Sequence, residues 1–390
     1  MSNSILLGMK KIFILGLVFF TLFNSRIKAQ ENRAITTAVP FLLIAADARA
    51  AGLADQGVAT SADAFSQQWN PAKYVFIRNK QGVGVNYTPY LSDLVNDIFL
   101  GNLTYYNRLN ERSAVAASFK YFSLGEIEFR ENATDLGLIQ QPNELTFDLT
   151  YALKLSETLS MSVTGRYLRS DLRLQGTGDD ASAGSGFGVD IAGFYRSDEI
   201  AFNSFNGRWR AGAVISNIGP KISYDDAGQE NFIPTNFKLG GSFDFIFNED
   251  NIVTPSIEIN KLLVPSPQDF DGDGDIDAED NEEYQDISSF GAIFSSWGDA
   301  DGGFSEELKE ITWALGVEYK YQDVFAFRTG YFNESEEKGS RQFLSLGAGF
   351  KYNTVNLDVS YLFSTAAVRS PLEGTLRFGV SFNFGDKYYD

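Results

Sequence analysis

The 390-residue sequence has neither cysteine nor histidine. Without cysteine there is no disulfide, no thiolate nucleophile and no sulfur-ligated metal. Without histidine the Ser-His-Asp and Cys-His arrangements and His-ligated zinc are excluded too. A membrane phospholipase or protease of the usual kind is therefore not expected, and no paired-carboxylate constellation argues for another enzyme. Basic residues are also in deficit: 32 Lys and Arg face 51 Asp and Glu, a net charge of −19. That balance argues against nucleic acid as a partner and against simple attraction to an anionic lipid surface. Past the N-terminus, no run approaches the ~18 consecutive apolar residues of a membrane-crossing helix.

Aromatics and glycine are plentiful, with 34 Phe, 18 Tyr and 36 Gly. This mixture favours strands, aromatic interfacial belts and close backbone packing. The clearest pattern lies near the C-terminus, where Leu376, Phe378, Val380, Phe382 and Phe384 alternate with Arg377, Gly379, Ser381 and Asn383. A period of two with one apolar and one polar side is an amphipathic strand. The same alternation sets Leu145, Phe147, Leu149, Tyr151 and Leu153 against Thr146, Asp148 and Thr150, and Val355, Leu357, Val359, Tyr361 and Phe363 against Asn356, Asp358 and Ser360. A soluble aromatic-rich β-protein is the competing reading, with the apolar face turned inward. The polar sets, however, carry charges of both signs: Asp148, Arg166, Asp190, Arg210, Lys238, Asp244, Glu258, Glu318, Arg328, Asp358 and Arg377. A lumen lined this way pairs its charges while the bulky set faces lipid.

Strands are expected at 82–90, 98–107, 113–122, 145–154, 159–168, 187–196, 208–216, 236–247, 252–260, 311–321, 323–332, 342–352, 354–363 and 374–384. The connections alternate short and long, as in barrels with short periplasmic turns and longer outer loops. The segment 197–207 is too long for a short turn and leaves room for a miscounted strand pair. An open sheet edge in hydrocarbon would strand its amides without partners, so the sheet must close. The fold class is all-β: a transmembrane antiparallel β-barrel of about 14 strands over residues 73–384, in the outer membrane and in contact with its lipid. Both termini fall on the periplasmic side, and 385–390 form a periplasmic tail.

The N-terminus reads as an address. Lys10 and Lys11 precede the apolar run Ile12–Phe23, and Ile27-Lys28-Ala29 offers a small residue for cleavage, so 1–29 is a signal peptide and Gln30 the new end. Removing four basic residues and no acids takes the net charge from −19 to −23. Residues 31–72 are Ala-rich and interrupted by Gly52 and Gly57, which fits short helices or turns better than a sheet. Pro71 pushes Asn70 away from helical dihedrals, so the chain turns at Asn70-Pro71-Ala72.

The long connection 261–310 holds the sharpest local motif. Asp269, Asp271, Asp273, Asp275, Asp277 and Asp280 place oxygens at positions 1, 3, 5, 7, 9 and 12 of a calcium-type loop, with Gly274 at the sixth. Ca²⁺ takes six to eight hard oxygens around a sharp turn, and at the seventh position the ligand is the backbone carbonyl of Asp275. Asp rather than Glu at the twelfth resembles the dockerin variant of the loop. A solvated acidic loop is the plainer alternative; no other cofactor is indicated. Further on, Phe290, Ile293, Phe294, Trp297, Phe304 and Leu308 are too apolar for a loop standing free in water. They either fold onto the barrel mouth or form a surface that meets a partner.

The run Ala51-Gly52-Leu53-Ala54-Asp55-Gln56-Gly57-Val58 through Asp63-Ala64 to Asn70-Pro71-Ala72, followed by about fourteen strands, resembles the FadL-type outer-membrane proteins. That resemblance implies a plug inside the barrel, residues 30–72, and, for the superfamily, passage of hydrophobic molecules sideways through a gap in the wall. Asp47-Ala48-Arg49-Ala50-Ala51-Gly52, Gln68-Trp69-Asn70-Pro71-Ala72-Lys73-Tyr74, Asn260-Lys261-Leu262-Leu263-Val264-Pro265 and Gly302-Gly303-Phe304-Ser305-Glu306-Glu307-Leu308-Lys309-Glu310 are more closely similar to the PorV (LptO) family of the Bacteroidetes type IX secretion system. This likeness covers nearly the whole mature chain. It implies a carrier of secreted cargo, gripping the cargo's C-terminal domain at the translocon and delivering it to the surface sortase or attachment complex. The alternative is a FadL-like channel for hydrophobic small molecules.

Overall fold

The computed structural model describes residues 34–388 apart from 93, 131–136, 174–181, 225–228, 271, 273–277, 301 and 367–369. The expected signal peptide lies outside them. Fourteen long strands form the wall: β1 (Asn79–Pro89), β2 (Ile98–Arg108), β3 (Ser113–Leu124), β4 (Asn143–Lys154), β5 (Leu159–Asp171), β6 (Gly184–Arg196), β7 (Asn206–Ile218), β8 (Asn236–Asn248), β9 (Asn251–Leu262), β10 (Ile311–Tyr321), β11 (Phe325–Asn333), β12 (Gln342–Tyr352), β13 (Val355–Ser364) and β14 (Leu376–Lys387). Each pairs antiparallel with its neighbour in sequence, and β14 pairs with β1 through Val83↔Phe382 and Val85↔Val380, which seals the barrel. Among the described residues no helix is long and apolar enough to cross a membrane.

Period-two patterning explains which way the strands face. In β5, Leu159, Met161, Val163 and Tyr167 point outward and are exposed, while Ser160, Ser162, Thr164 and Arg166 are buried. Greasy side chains outside and hydroxyl or charged ones inside invert the soluble arrangement; in water each outward Leu, Val or Phe would forgo roughly 1.5–3 kcal/mol of burial. Lipid supplies that burial.

The two ends of the barrel differ. Tight turns at one end include Gln322-Asp323, both with positive φ, the left-handed geometry that matches the right-handed twist of paired strands. The segment 197–207 holds no extra pair of wall strands: Ile200↔Gly207 and Ala201↔Asn206 merely prolong the β6–β7 hairpin. At the other end the connections are long. The one between β3 and β4 carries a small hairpin of Ile127–Phe129 against Leu138–Gln140. The one between β9 and β10 carries three helices, α3 (Ala278–Asp286), α4 (Ser289–Ser295) and α5 (Phe304–Glu310).

Residues 34–78 contribute no wall strand. They form a 3₁₀ turn at Pro40–Leu43, single helical turns α1 (Ala48–Ala51) and α2 (Ser66–Trp69), and a second 3₁₀ turn at Pro71–Phe76. Phe41 and Leu42 pack with Leu100, Phe122 and Leu168 near the long-loop end. Tyr74, Val75 and Phe76 pack with Ala114, Ala116, Ala152 and Phe194 near the short-turn end. The segment thus runs lengthwise through the lumen.

Leu149 projects from the middle of β4. Leu149→Arg should lower stability by about 2–4 kcal/mol, the cost of a cation near the bilayer midplane. Denaturant titration in lipid vesicles reads this directly, and an unchanged midpoint would mean that Leu149 does not face lipid.

Candidate functional site

Two features distinguish this barrel from an open pipe: ionic ties between its N-terminal segment and its wall, and a rigid helical loop at the mouth.

The central tie is Arg49 on the first helical turn. That turn is short, and Asp47 starts it by accepting the N–H of Ala50 at 2.7 Å. Arg49 forks onto Glu318 of β10, Nη2 to Oε1 at 3.1 Å and Nε to Oε2 at 3.2 Å. Its Nη1 donates to the Ser61 carbonyl at 2.9 Å and to Asp63. Glu318 also accepts Nε of Arg328 (β11) at 2.7 Å, and Arg328 donates to Asp358 (β13) at 2.7 Å. Five alternating charges therefore run from the segment across the wall. Arg377 of β14 reaches Asp55 at 3.0 Å, and Glu258 of β9 accepts the N–H groups of Gly57 and Val58 at 2.9 Å each. In a dry interior, charges persist only when paired and hydrogen-bonded in this way.

Close approach needs missing side chains as well. A Cβ on Gly330 would lie 2.6 Å from the carbonyl carbon of Leu53, and one on Gly347 would lie 2.9 Å from the Cα of Gly52. These wall glycines are where the segment's backbone rests. Asn70 Nδ2 donates to the carbonyls of Val58 and Gly193, 3.0 Å each, and its Oδ1 accepts from Ala72 N–H at 3.1 Å, which starts the 3₁₀ turn at Pro71. Ala72 O accepts the Ser160 hydroxyl at 2.7 Å. Asn70, Pro71 and Ala72, the turn expected from sequence, are all buried against the wall.

The mouth loop rests on a second ionic knot. Lys261, at the end of β9, donates to Glu310 at 2.6 Å and Glu307 at 2.9 Å. Lys338, from the β11–β12 loop, donates to Glu306 at 2.7 Å and Glu310 at 3.0 Å. The spacing of Glu306, Glu307 and Glu310 puts them on adjoining faces of α5. Asp299 joins the group; its carboxylate comes close to those of Glu307 and Glu310, and the cation among them is the Lys261 ammonium. Burial, aided by Glu310 and Glu307 and opposed by the Ser266 N–H, pushes Asp299 up to about 6. Burial would raise Glu310 as well, but hydrogen bonds from Lys261, Ser266 and Lys338 hold it below the usual carboxylate range. A small core of Phe232, Val264 and Ala292, flanked by Ile35, Tyr284 and Ile287, completes the base.

On this base the apolar residues face outward. Phe290 is 70% exposed, Phe294 78%, Phe304 78%, Leu308 52% and Trp297 50%; Ile293 alone is half-buried. Folding onto the mouth therefore accounts for Ile293 and leaves the other five uncovered. Trp297 leans on Phe237, whose position in β8 is outward, with ring centres 5.6 Å apart. Of the calcium-type residues, Asp271, Asp273, Asp275 and Asp277 lie outside the described residues. At the loop's edges, Asp280 accepts the Phe270 N–H at 2.6 Å and Asp269 the Gly272 N–H at 2.7 Å.

A family model described as Type IX secretion system protein PorV matches residues 27–269. The chain belongs to this family. It is thereby an outer-membrane component of type IX secretion. Among solved structures, the fold is that of the FadL-type barrels. A TodX deltaS2S3 mutant monoaromatic hydrocarbon channel superposes with a TM-score of 0.50 at 12% identity, covering 86% of this chain and 98% of the other. A Pseudomonas aeruginosa FadL homologue gives 0.43 at 11% identity, over 90% and 99%. At such identities the likeness is one of fold. No curated protein matches in sequence.

The PorV-type lumen is held by its arginines. Arg49→Met leaves Asp63 without its strongest partner and should cost about 3–5 kcal/mol, the usual penalty for breaking a buried pair. Because the chain has no native cysteine, Ala64→Cys, at a position 2% exposed, reports on the segment. A membrane-impermeant maleimide should label it at least tenfold faster in the Arg49→Met background. Equal labelling and an equal unfolding midpoint would remove Arg49 as the tie.

Proposed function

We propose that this protein is a non-enzymatic carrier: it takes secreted cargo by the cargo's C-terminal domain as it leaves the translocon and delivers it to the surface sortase or attachment complex. The observation that carries this reading is the set of uncovered side chains on α4, α5 and their link, held outward by the Lys261–Lys338–glutamate knot. Large exposed aromatics on a rigid base are the usual anchors of a protein interface, where a few buried rings supply most of the affinity. With the termini in the periplasm, this loop stands outside the cell, where secreted proteins arrive. The family membership supports the same direction. A channel for hydrophobic small molecules finds support in the fold alone, and it would require the N-terminal segment to leave its ionic and backbone contacts.

Cargo should co-purify with the barrel from native outer membranes. Replacing Phe294 and Phe304 together by Glu should weaken recovery by thirtyfold or more, corresponding to loss of about 2 kcal/mol or more at an interface centre, with barrel folding unchanged by heat-shifted gel mobility. Undiminished cargo would take this surface out of the proposal; bound fatty acid with no protein partner would favour the channel.

We also read Asp269–Asp280 as a Ca²⁺ loop ordering the approach to α3. Extracellular sites of this kind bind at roughly 10⁻⁴–10⁻³ M. Calorimetry should register one such event per chain, absent in an Asp271→Asn, Asp273→Asn double variant. Identical titrations for both proteins would assign the loop to plain solvation.

A further inference from the structure

Inside the barrel, between the N-terminal segment and the wall, lies a small polar cavity lined by Gln67 and Gln68 from the segment and by Asn102, Lys120, Asp148, Arg166, Asn217 and Lys238 from the wall. Its polar groups divide into two classes. One class is spoken for. Arg166 holds Asp148 at 2.7 Å and Asp190 at 3.0 Å, and Ser118 donates to Asp148 at 2.9 Å. Gln68 bridges Ala46 N–H and Ile44 O, at 3.1 and 2.7 Å. Asn217 stands at a β-bulge with φ of 60°, where its N–H donates to Asp190 at 2.7 Å and its amide donates to Pro234 O at 2.9 Å. Bulges re-aim side chains in this way next to sites.

Among the described residues the other class lacks hydrogen-bond partners: the ammonium groups of Lys120 and Lys238, the Asn102 amide, and one acceptor, Gln67 Oε1. Lys120 is only 6% exposed, yet among the described residues its ammonium has no hydrogen bond and no ion pair. Lys238 lies over the Trp69 ring at 4.7 Å and likewise has no carboxylate within ion-pair distance. Among the described residues the Asn102 side chain has no hydrogen-bonding partner. The charges of Arg166 and Lys238 bear on Lys120 with the same sign, and the opposing Asp148 and Asp190 are both held by Arg166. Glu258, Asp55 and Asp190 act on Lys238 from beyond ion-pair distance, and each is engaged elsewhere: Glu258 takes the N–H groups of Gly57 and Val58, Asp55 is held by Arg377 and Asp190 by Arg166. A buried ammonium without a counter-charge is costly, and two facing one space are costlier.

We propose that this cavity is an anion site, in which Lys120, Lys238 and Asn102 hold one small monovalent anion of the halide class. A dianion would outweigh two ammonium groups beside Asp148 and Asp190. An anion here touches Lys120 on the wall and Lys238 against Trp69 of the segment, so it ties the two together. The site rests on the segment's position in the lumen and not on the cargo-carrier reading.

The test uses the full mature barrel in detergent. Crystals grown in sodium bromide should show an anomalous bromine peak in contact with both lysines. The melting temperature should rise in sodium bromide relative to sodium gluconate at equal ionic strength, by the linkage expected when only the folded state binds. Lys120→Met and, separately, Lys238→Met should lose that increment. A cavity holding ordered water and no anomalous peak, or a wild-type melting temperature equal in the two salts, overturns the proposal. The crystallographic arm needs no variant, so a variant that fails to fold leaves the decision intact.

Discussion

Hydrocarbon offers no partner to a peptide N–H or C=O, and the arrangement of this protein follows from that shortage. Fourteen strands satisfy one another in sequence, and the seam between β14 and β1 satisfies the last edge. Once the wall is closed, side chains have two destinations. Outward positions meet lipid and are aliphatic or aromatic. Inward positions meet a space too small to be bulk water, and there the protein has placed arginines, aspartates, glutamates and hydroxyls that must find partners within reach.

The N-terminal segment supplies many of those partners. Glu318, Glu258 and Arg377 would otherwise carry unmatched charge or unused hydrogen-bonding capacity into the lumen; Arg49, the Gly57 and Val58 amides, and Asp55 answer them. Small residues at the contact, among them Gly330 and Gly347, let backbone lie on backbone. The same logic recurs at the mouth, where Lys261 and Lys338 anchor the acidic face of α5 and leave its apolar face in the open. Wall, filling and mouth are thus consequences of one demand for pairing, met at three depths. The exposed apolar surface of α4 and α5 is what remains after that demand is met.

Much of this was legible in the residues. Period two marked several wall strands cleanly, and together with the rhythm of short and long connections it placed all fourteen, with ends differing by a few residues. β11 begins at Phe325 instead of 323 because Asp323 belongs to a left-handed turn that alternation does not mark. The inward charges were legible as a set, but not their pairing: Arg49 and Glu318 are 269 positions apart, and no local spacing joins them. Lys120 shares the inward register of Ala116 and Ser118, and only its lack of a partner sets it apart, which takes coordinates to see. The glutamate spacing on α5 was a signal available in sequence, yet the two lysines that answer it come from the end of β9 and from the β11–β12 loop.

The seam has a consequence for assembly. Every other wall pairing joins neighbours along the chain, whereas Val83 and Phe382 are about three hundred residues apart, so bringing them together costs roughly 5 kcal/mol of chain entropy by loop-closure scaling. Arg377, on the strand that makes this junction, also holds Asp55. Wall closure and filling are therefore coupled: the strand that seals β14 onto β1 also grips the amino-terminal stretch, so opening the seam loosens both.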